Sequence, residues 1–156
     1  MIAEPLKNLH KKRVVHRDLT FDKISIQMDK RKKPAIAAIK KIKIIGFDLA
    51  FCFEKSSYEV TQQFYIEGRE FAPEITANQP HGQPADVWGL GQIMAKLLAK
   101  TKSQESNSVS RALYKLAEDM VQVDAEARPG VSLVIKILDK LQKCSNLMHM
   151  QQKIKS

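Results

Sequence analysis

The sequence predicts a mostly α-helical domain with one small β hairpin, because two kinds of hydrophobic period occur in it. Residues 85–100 carry apolar side chains on most sides of a helix, which is typical of a helix buried inside a domain. Ile24, Ile26 and Met28 alternate with polar residues, which is the period of a half-buried strand. A second β-like run covers residues 42–45, after a long basic loop. The 156 residues are enough for one domain with one hydrophobic core.

The remaining elements follow from helical spacing and from the breaks in it. Helices are predicted, in chain order, over residues 4–13, 85–100, 111–123 and 131–143. Residues 51–70 show no sustained period and are predicted to form an extended loop, and residues 101–110 a polar linker. The domain is predicted to cover residues 1–144, and residues 145–156 are predicted to form a frayed tail.

The basic charge of the chain is concentrated near its start. The net charge is +9, and residues 1–55 hold 14 Lys and Arg against 6 Asp and Glu, whereas residues 56–156 hold 12 against 11. The densest basic run is Lys30, Arg31, Lys32 and Lys33. We interpret this run as a solvated loop, and a nuclear-import signal or a nucleic-acid patch is the alternative. No aromatic residue interleaves the run, so nucleic acid is not the expected partner.

Composition argues against membrane, secreted and metal-binding classes of protein. The longest apolar runs are far shorter than the roughly 20 residues of a membrane-spanning helix. Met1 is not followed by the basic and apolar segments of a signal peptide. Cys52 and Cys144 have neither a disulfide framework nor a metal-ligand spacing. We therefore expect a soluble cytoplasmic protein with reduced cysteines and no bound metal, and nuclear location remains an alternative.

Five short motifs in one order resemble those of a known family. They are His16-Arg17-Asp18-Leu19, Ile45-Gly46-Phe47-Asp48-Leu49-Ala50, Ala72-Pro73-Glu74, Asp86-Val87-Trp88-Gly89-Leu90-Gly91 and Arg128-Pro129. The first motif resembles the catalytic loop of a protein kinase, the second lies where the family has Asp-Phe-Gly, and the third matches its Ala-Pro-Glu. The chain therefore resembles the C-terminal lobe of a protein kinase. The family's Gly-rich loop, strand lysine and helix glutamate belong to the N-terminal lobe, which the chain is expected to lack.

The resemblance implies structural roles for six residues: His16, Phe47, Glu74, Asp86, Trp88 and Arg128. The first two would stack as members of the family's regulatory spine. Glu74 and Arg128 would form the buried ion pair that ties the activation segment to the helical base. Asp86 would cap its helix and accept hydrogen bonds from the catalytic-loop backbone, and Trp88 would fill the core beneath the activation segment.

The resemblance also places altered residues where the family faces nucleotide and metal: Thr20, Lys23, Ser25 and Gly46. Lys23 aligns with a magnesium-binding Asn, and a protonated lysine cannot bind a metal ion. Gly46 aligns with the magnesium-binding Asp. Thr20 replaces the lysine that touches the transferred phosphate, and Ser25 replaces the apolar residue beneath adenine. We therefore expect no cofactor, and Mg-ATP only if the chain is an active kinase.

Three residues keep a catalytic interpretation open: Arg17, Asp18 and Asp48. Asp18 aligns with the family's proposed base, and its alternative role is that of a structural hydrogen-bond acceptor. Asp48 could bind a metal from two positions downstream of Gly46, or it could be a polar turn residue. Arg17 could pair with a phosphate on the predicted loop. The hydroxyl residues of that loop, which could equally be ordinary loop residues, are Ser56, Ser57, Tyr58, Thr61 and Tyr65.

Two classes of function follow from the resemblance. The first is a truncated, catalytically impaired pseudokinase that binds another protein, with a kinase as the expected class, and regulates it. Its expected contact surface is the area that a missing N-lobe leaves uncovered: Val14, Val15, the first strand of the hairpin, Lys30, Arg31, Lys32 and Lys33. The second is a Ser/Thr protein kinase that uses Mg-ATP with a borrowed N-lobe or a rearranged site. A piece of a split kinase gene is a third alternative.

Overall fold

The computed structural model describes residues 2–29, 31, 39–53, 66–100 and 108–155, and the side chains of the last helix to residue 146. The helices are α1 (Ala3–Lys11), α2 (Pro73–Thr76), α3 (Gln83–Lys100), α4 (Ser108–Met120) and α5 (Val131–Lys155). The strands are β1 (Val14–Val15), β2 (Ile24–Met28), β3 (Ile39–Ile44) and β4 (Phe51–Cys52). Single 3₁₀ turns cover Phe21–Lys23 and Ala125–Ala127. The predicted fold class, mostly helical with a small β hairpin, is confirmed over these residues.

The strands form two antiparallel pairs. In the hairpin, β2 pairs with β3 from Ile24 opposite Ile44 to Met28 opposite Ile39, with one irregularity next to Met28. In the second pair, β1 lies against β4, so that Val15 is opposite Phe51. The second pair therefore holds the chain on either side of the segment that includes the hairpin.

Helix α3 lies at the centre of the hydrophobic core, as its wide apolar surface predicts. Val87 of α3 belongs to one buried cluster with Leu6 of α1, Met120 of α4 and Val134 of α5. The same cluster includes Leu19, which follows the His-Arg-Asp sequence. The loop that carries the candidate catalytic residues is therefore anchored by its own leucine in the main core.

Several element bounds differ from the prediction. Helix α4 begins at Ser108, inside the predicted linker over residues 101–110, and residues 101–107 lie outside the described part of the chain. Helix α5 continues to Lys155, although the sequence predicted its end at Lys143 and a frayed tail from residue 145. No Gly or Pro occurs after Gly130, so the two strongest helix-stopping residues are absent at the predicted end. Of the described helices, none combines the length and the apolar character that crossing a bilayer requires.

The expectation that Val14 and Val15 are uncovered is wrong. Val15 has no exposed surface and Val14 is half-buried, because β1 is covered through its pairing with β4. Val15 therefore cannot form part of a contact surface in this fold, and Val14 can contribute only part of its side chain.

Gly89 allows α3 to lie directly against the loop of residues 16–20, which carries the candidate catalytic residues Arg17 and Asp18. A Cβ atom at this position would lie 2.7 Å from the carbonyl oxygen of Leu19 and 3.1 Å from its Cβ. Such overpacking against backbone costs about 1–3 kcal/mol, more than the helix propensity that alanine adds. Gly89→Ala should therefore lower the midpoint of urea unfolding. Gly130→Ala is the control, because its Cβ would meet no atom within 4 Å, and equal midpoints for the two variants would contradict the argument.

Candidate active site

The backbone of this candidate catalytic loop, residues 16–20, is held by one buried carboxylate. Asp86 has no exposed surface, and its two oxygens accept hydrogen bonds from the backbone N–H groups of His16, at 2.9 Å, and Arg17, at 2.7 Å. Nε2 of His10 lies 2.9 Å from the same carboxylate. Arg17 has φ of 65°, a left-handed conformation that is uncommon for a residue with a side chain. Asp86 therefore holds the loop in a conformation that the chain would not adopt unaided.

The predicted capping role of Asp86 needs correction. Helix α3 begins at Gln83, so Asp86 lies within the first helical turn and not before it. Its side chain turns away from the helix terminus because the loop N–H groups and His10 use both of its oxygens. Asp86 is a loop anchor in this structure.

Asp18, the proposed base, lies between two cations. The side chain is 5% exposed, and its Oδ2 accepts a hydrogen bond from Nη1 of Arg69. The ammonium group of Lys23 lies 3.8 Å from the same oxygen. Oδ1 accepts no hydrogen bond from any described residue. One oxygen of the carboxylate is therefore already occupied by the side chain of Arg69.

Lys23 and Gly46 are brought together by the base of the hairpin. The N–H of Ile45 donates to the carbonyl oxygen of Lys23 at 2.9 Å, and Gly46 follows with φ of +74°. A Cβ atom on Gly46 would lie 2.5 Å from Cδ and 2.7 Å from Nζ of Lys23. The lysine side chain therefore fills the space that an aspartate at position 46 would need.

The magnesium ion that the family resemblance implies does not fit this arrangement. The Lys23 ammonium lies 3.8 Å from Asp18 Oδ2 and 3.6 Å from Asp48 Oδ2, so a fixed positive charge already sits between these two carboxylates. The side chain of Asp48 is 82% exposed. In the described part of the chain, no three His, Cys, Asp or Glu side chains are grouped so that they could hold a metal ion.

Arg17 is buried and contacts the segment that follows the hairpin. Its Nε donates to the carbonyl oxygen of Leu49 at 2.5 Å, and its guanidinium lies 5.6 Å from the centre of the Phe51 ring. Burial lowers the pKa of Arg17 from its usual value, and the charge of Asp86 partly opposes this effect. The hydroxyl residues proposed as its phosphate-bearing partners, at positions 56, 57, 58, 61 and 65, lie outside the described residues.

Glu74 and Arg128 form a bidentate ion pair. Nη1 and Nη2 of Arg128 donate to the two carboxylate oxygens of Glu74 at 2.7 and 2.8 Å, and both residues are buried. The remaining donors of the guanidinium reach the backbone oxygens of Gln122, Pro84 and Val123. The pair therefore connects α2 to the start of α3 and to the segment that follows α4.

The aromatic residues of the motifs take up two positions. Trp88 is half-buried and packs against the small cluster formed by Ala72, Ile75 and Ala85. The rings of His16 and Phe47 contact each other with centroids 5.1 Å apart and planes at 60°, so they meet at a tilt and do not stack face to face. Phe47 is 44% exposed.

A cavity of about 480 Å³ lies between the catalytic loop and α3. Its wall includes Phe21, Arg69, Trp88 and Lys96. The charged groups on this wall are paired, since Lys96 Nζ lies 3.5 Å from Glu70 Oε2 and Arg69 contacts Asp18. The cavity therefore has a mixed polar and apolar lining, in which Lys96 and Arg69 each lie beside a carboxylate.

Other predicted site residues are placed as follows. Ser25 is exposed and lies opposite Lys43 in the hairpin, and Thr20 donates to Asp22 at 2.5 Å, which lowers the pKa of that carboxyl. In the basic run, Arg31 is exposed, with Nε 3.4 Å from Oδ1 of Asp29. Lys30, Lys32 and Lys33 lie outside the described residues.

Sequence reasoning missed Arg69 and the role of His10. Arg69 belongs to no motif, and its contact with Asp18 depends on the path of a loop without sequence period. His10 has the helical spacing of an ordinary core residue on α1. A histidine among apolar residues is a weak signal for a buried partner, and nothing in the sequence pointed to Asp86.

Comparison with known proteins adds a family match. The family model described as protein kinase domain matches residues 1–105. Serine/threonine-protein kinase CST20 of Candida albicans is 32% identical over 114 residues, which cover 72% of this chain and 8% of that protein. Cyclin-dependent kinase 9 of Danio rerio is 22% identical over 144 residues, covering 91% and 36%. Serine/threonine-protein kinase H2 of Homo sapiens is 25% identical over 142 residues, covering 90% and 35%. The chain thus spans little more than a third, or less, of the length of these relatives.

Proposed function

The chain belongs to the protein kinase family, and we propose that it is a catalytically impaired member that works by binding another protein. The expected partner class is a kinase, and the expected effect on that partner is regulation. The observation that carries the proposal is the position of Lys23, whose side chain occupies the space beside Gly46.

A lysine at this position removes what phosphoryl transfer needs most. The reaction depends on metal ions that bridge the phosphates and neutralise developing charge. The ammonium of Lys23 repels a divalent cation at short range, and Gly46 supplies no carboxylate to bind one. The chain has therefore lost the metal-binding side chains while it keeps the Glu74–Arg128 pair that holds the fold together.

The state of Asp18 supports the same conclusion. A general base must reach the proton of its substrate within about 2.6–3.2 Å. Arg69 covers one oxygen of the carboxylate, and the Lys23 ammonium lies near it. Asp18 in this fold serves to neutralise two cations.

A binding role is supported by apolar surface on the hairpin. Ile26 is 50% exposed, Met28 44% and Ile39 39%, and all three lie near the end of the hairpin that is distant from the core. Contiguous exposed apolar side chains of this kind mark interaction sites on folded proteins.

The alternative function is a Ser/Thr protein kinase that uses Mg-ATP with a borrowed N-lobe or a rearranged site. It is favoured by the retained Asp18, by the retained loop anchor Asp86 and by the similarity of the chain to serine/threonine-protein kinases. It requires Lys23 to leave its place between Asp18 and Asp48.

A thermal-shift titration separates the two functions. We expect millimolar Mg-ATP to leave the melting temperature unchanged, whereas a site filled at 100 times its dissociation constant would add about 2.7 kcal/mol of stability. The matched variant combines Lys23→Asn with Gly46→Asp, which restores two oxygen ligands and removes the ammonium. This variant should gain affinity for Mn²⁺, measured by electron paramagnetic resonance, relative to the unaltered chain.

Two results would contradict the proposal. One is a magnesium-dependent rise in melting temperature of the unaltered chain with ATP. The other is transfer of labelled phosphate from ATP to a protein substrate that disappears in Asp18→Asn.

A further inference from the structure

The β2–β3 hairpin has two chemically distinct faces. Three cross-strand pairs form its apolar face: Ile24–Ile44, Ile26–Ile42 and Met28–Ile39. Two cross-strand pairs form its lysine face: Ser25–Lys43 and Gln27–Lys41. This separation follows from the period of two along each strand, which places alternate side chains on opposite sides of the ribbon.

The apolar face is buried at the base of the hairpin and is exposed to solvent farther along it. At the base of the hairpin Ile44 is 8% exposed and belongs to the core cluster. Farther along, Ile26 is 50% exposed and Met28 44%. A two-stranded ribbon has marginal stability by itself, and an apolar face without cover adds to the tendency to acquire a partner.

Both long edges of the hairpin are open within the described part of the chain. No described strand other than β2 pairs with β3, and no strand other than β3 pairs with β2. An edge strand presents unpaired backbone N–H and C=O groups, which are a template for an additional strand.

The lysines of β3 indicate which edge of the hairpin binds a further strand, and they favour an acidic strand there. Lys40, Lys41 and Lys43 are exposed on β3, and neither strand of the hairpin contains Asp or Glu. No ion pair involves these lysines among the residues that the structure describes. Like charges directly opposite each other destabilise a sheet, so a second β3 is a poor partner for this edge. An acidic strand is a good partner for the β3 edge.

We propose that the β3 edge binds an extended segment of another protein in which apolar and acidic side chains alternate. The segment adds a third strand to the hairpin. Its apolar side chains extend the apolar face, and its carboxylates lie opposite Lys41 and Lys43. Backbone hydrogen bonds supply affinity and the alternating side chains supply specificity. This inference rests on the proposed binding function and specifies the chemistry of the partner.

The test measures binding of a defined peptide by fluorescence anisotropy. The probe is a fluorescein-labelled peptide of about eight residues that alternates Val and Glu. We expect saturable binding to the whole chain, and we expect the double variant Lys41→Glu, Lys43→Glu to bind the peptide at least about tenfold more weakly. The matched control, Lys136→Glu with Lys140→Glu, makes the same change in net charge at exposed positions of α5 and should bind as the unaltered chain does.

Two altered peptides test the geometry. A peptide with N-methyl groups on all of its backbone amides cannot donate hydrogen bonds to a strand edge from either side, and a peptide with Lys in place of Glu cannot pair with the lysine face. Both should lose binding. Equal binding of either altered peptide, absence of binding by the Val-Glu peptide, or self-association of the chain through the hairpin in sedimentation experiments would overturn the inference.

The outcome is separable from that of the proposed function. If the peptide does not bind and Mg-ATP still has no effect on melting, the strand-addition inference fails while the impaired site remains. If the peptide binds and the chain also transfers phosphate from ATP, the hairpin site stands and the proposed loss of catalysis fails. Circular dichroism of each variant shows whether the fold is kept.

Discussion

Replacement of Arg128 by alanine is expected to lower the free energy of unfolding by about 3–5 kcal/mol, because it leaves the Glu74 carboxylate buried without its partner. The same change also removes donors from three backbone oxygens, those of Gln122, Pro84 and Val123. Each lost hydrogen bond to a buried group adds to the penalty. Urea unfolding followed by the fluorescence of Trp88, the single tryptophan, measures the effect.

Two further variants show whether the loss comes from the buried charge. Lys115→Ala breaks an exposed ion pair with Asp119 on α4 and should leave the unfolding midpoint unchanged. Replacing both members of the buried pair, Glu74→Leu with Arg128→Met, should recover part of the stability lost in Arg128→Ala, since no uncompensated charge remains. If Arg128→Ala and Lys115→Ala have equal effects, the Glu74–Arg128 pair does not hold the domain together.

The distant contacts of the scaffold could be predicted because both partners belong to recognisable motifs. Glu74 and Arg128 are 54 positions apart, and Asp86 lies 69 positions from Arg17. No periodicity indicates that such residues meet, and the prediction came from the order of the motifs. What the motifs could not supply was the exact position of each residue in its element: Asp86 accepts the predicted hydrogen bonds from the loop backbone, but it lies within the first turn of α3 and not before the helix as a cap.

Short strands and irregular loops account for the contacts that were not predicted from the sequence. The pairing of Val14 and Val15 with β4 involves two residues on each side, which is too short for a hydrophobic period to be recognised. The position of Arg69 on Asp18 depends on the path of the chain before α2. The family resemblance implied that Lys23 lies where a kinase has a metal ligand, but the position of its side chain beside Gly46 depends on the hydrogen bond that closes the hairpin base.

The two sides of the site are attached to the rest of the protein in different ways. The loop that holds Asp18 is fixed from below by Asp86 and by Leu19 in the core. The upper side is formed by the hairpin, which joins the core at Ile44, while Met28 on the same face is 44% exposed. Lys23 lies just before β2, at this anchored end of the hairpin, so its position depends on the core.

Asp86→Ala is expected to be about as destabilising as Arg128→Ala, with a loss of about 3–5 kcal/mol. The change leaves the N–H groups of His16 and Arg17 and the ring nitrogen of His10 without their acceptor in a site that has no contact with solvent. It also frees Arg17 to leave its left-handed conformation.

Hydrogen exchange read by NMR distinguishes this cause from general loss of stability, because the amides of His16 and Arg17 should lose protection while those in the centre of α3 keep it under native conditions. Asp139→Ala, at an exposed position of α5, is the control and should change neither measurement. Retained protection of both loop amides in Asp86→Ala would show that another group holds the loop.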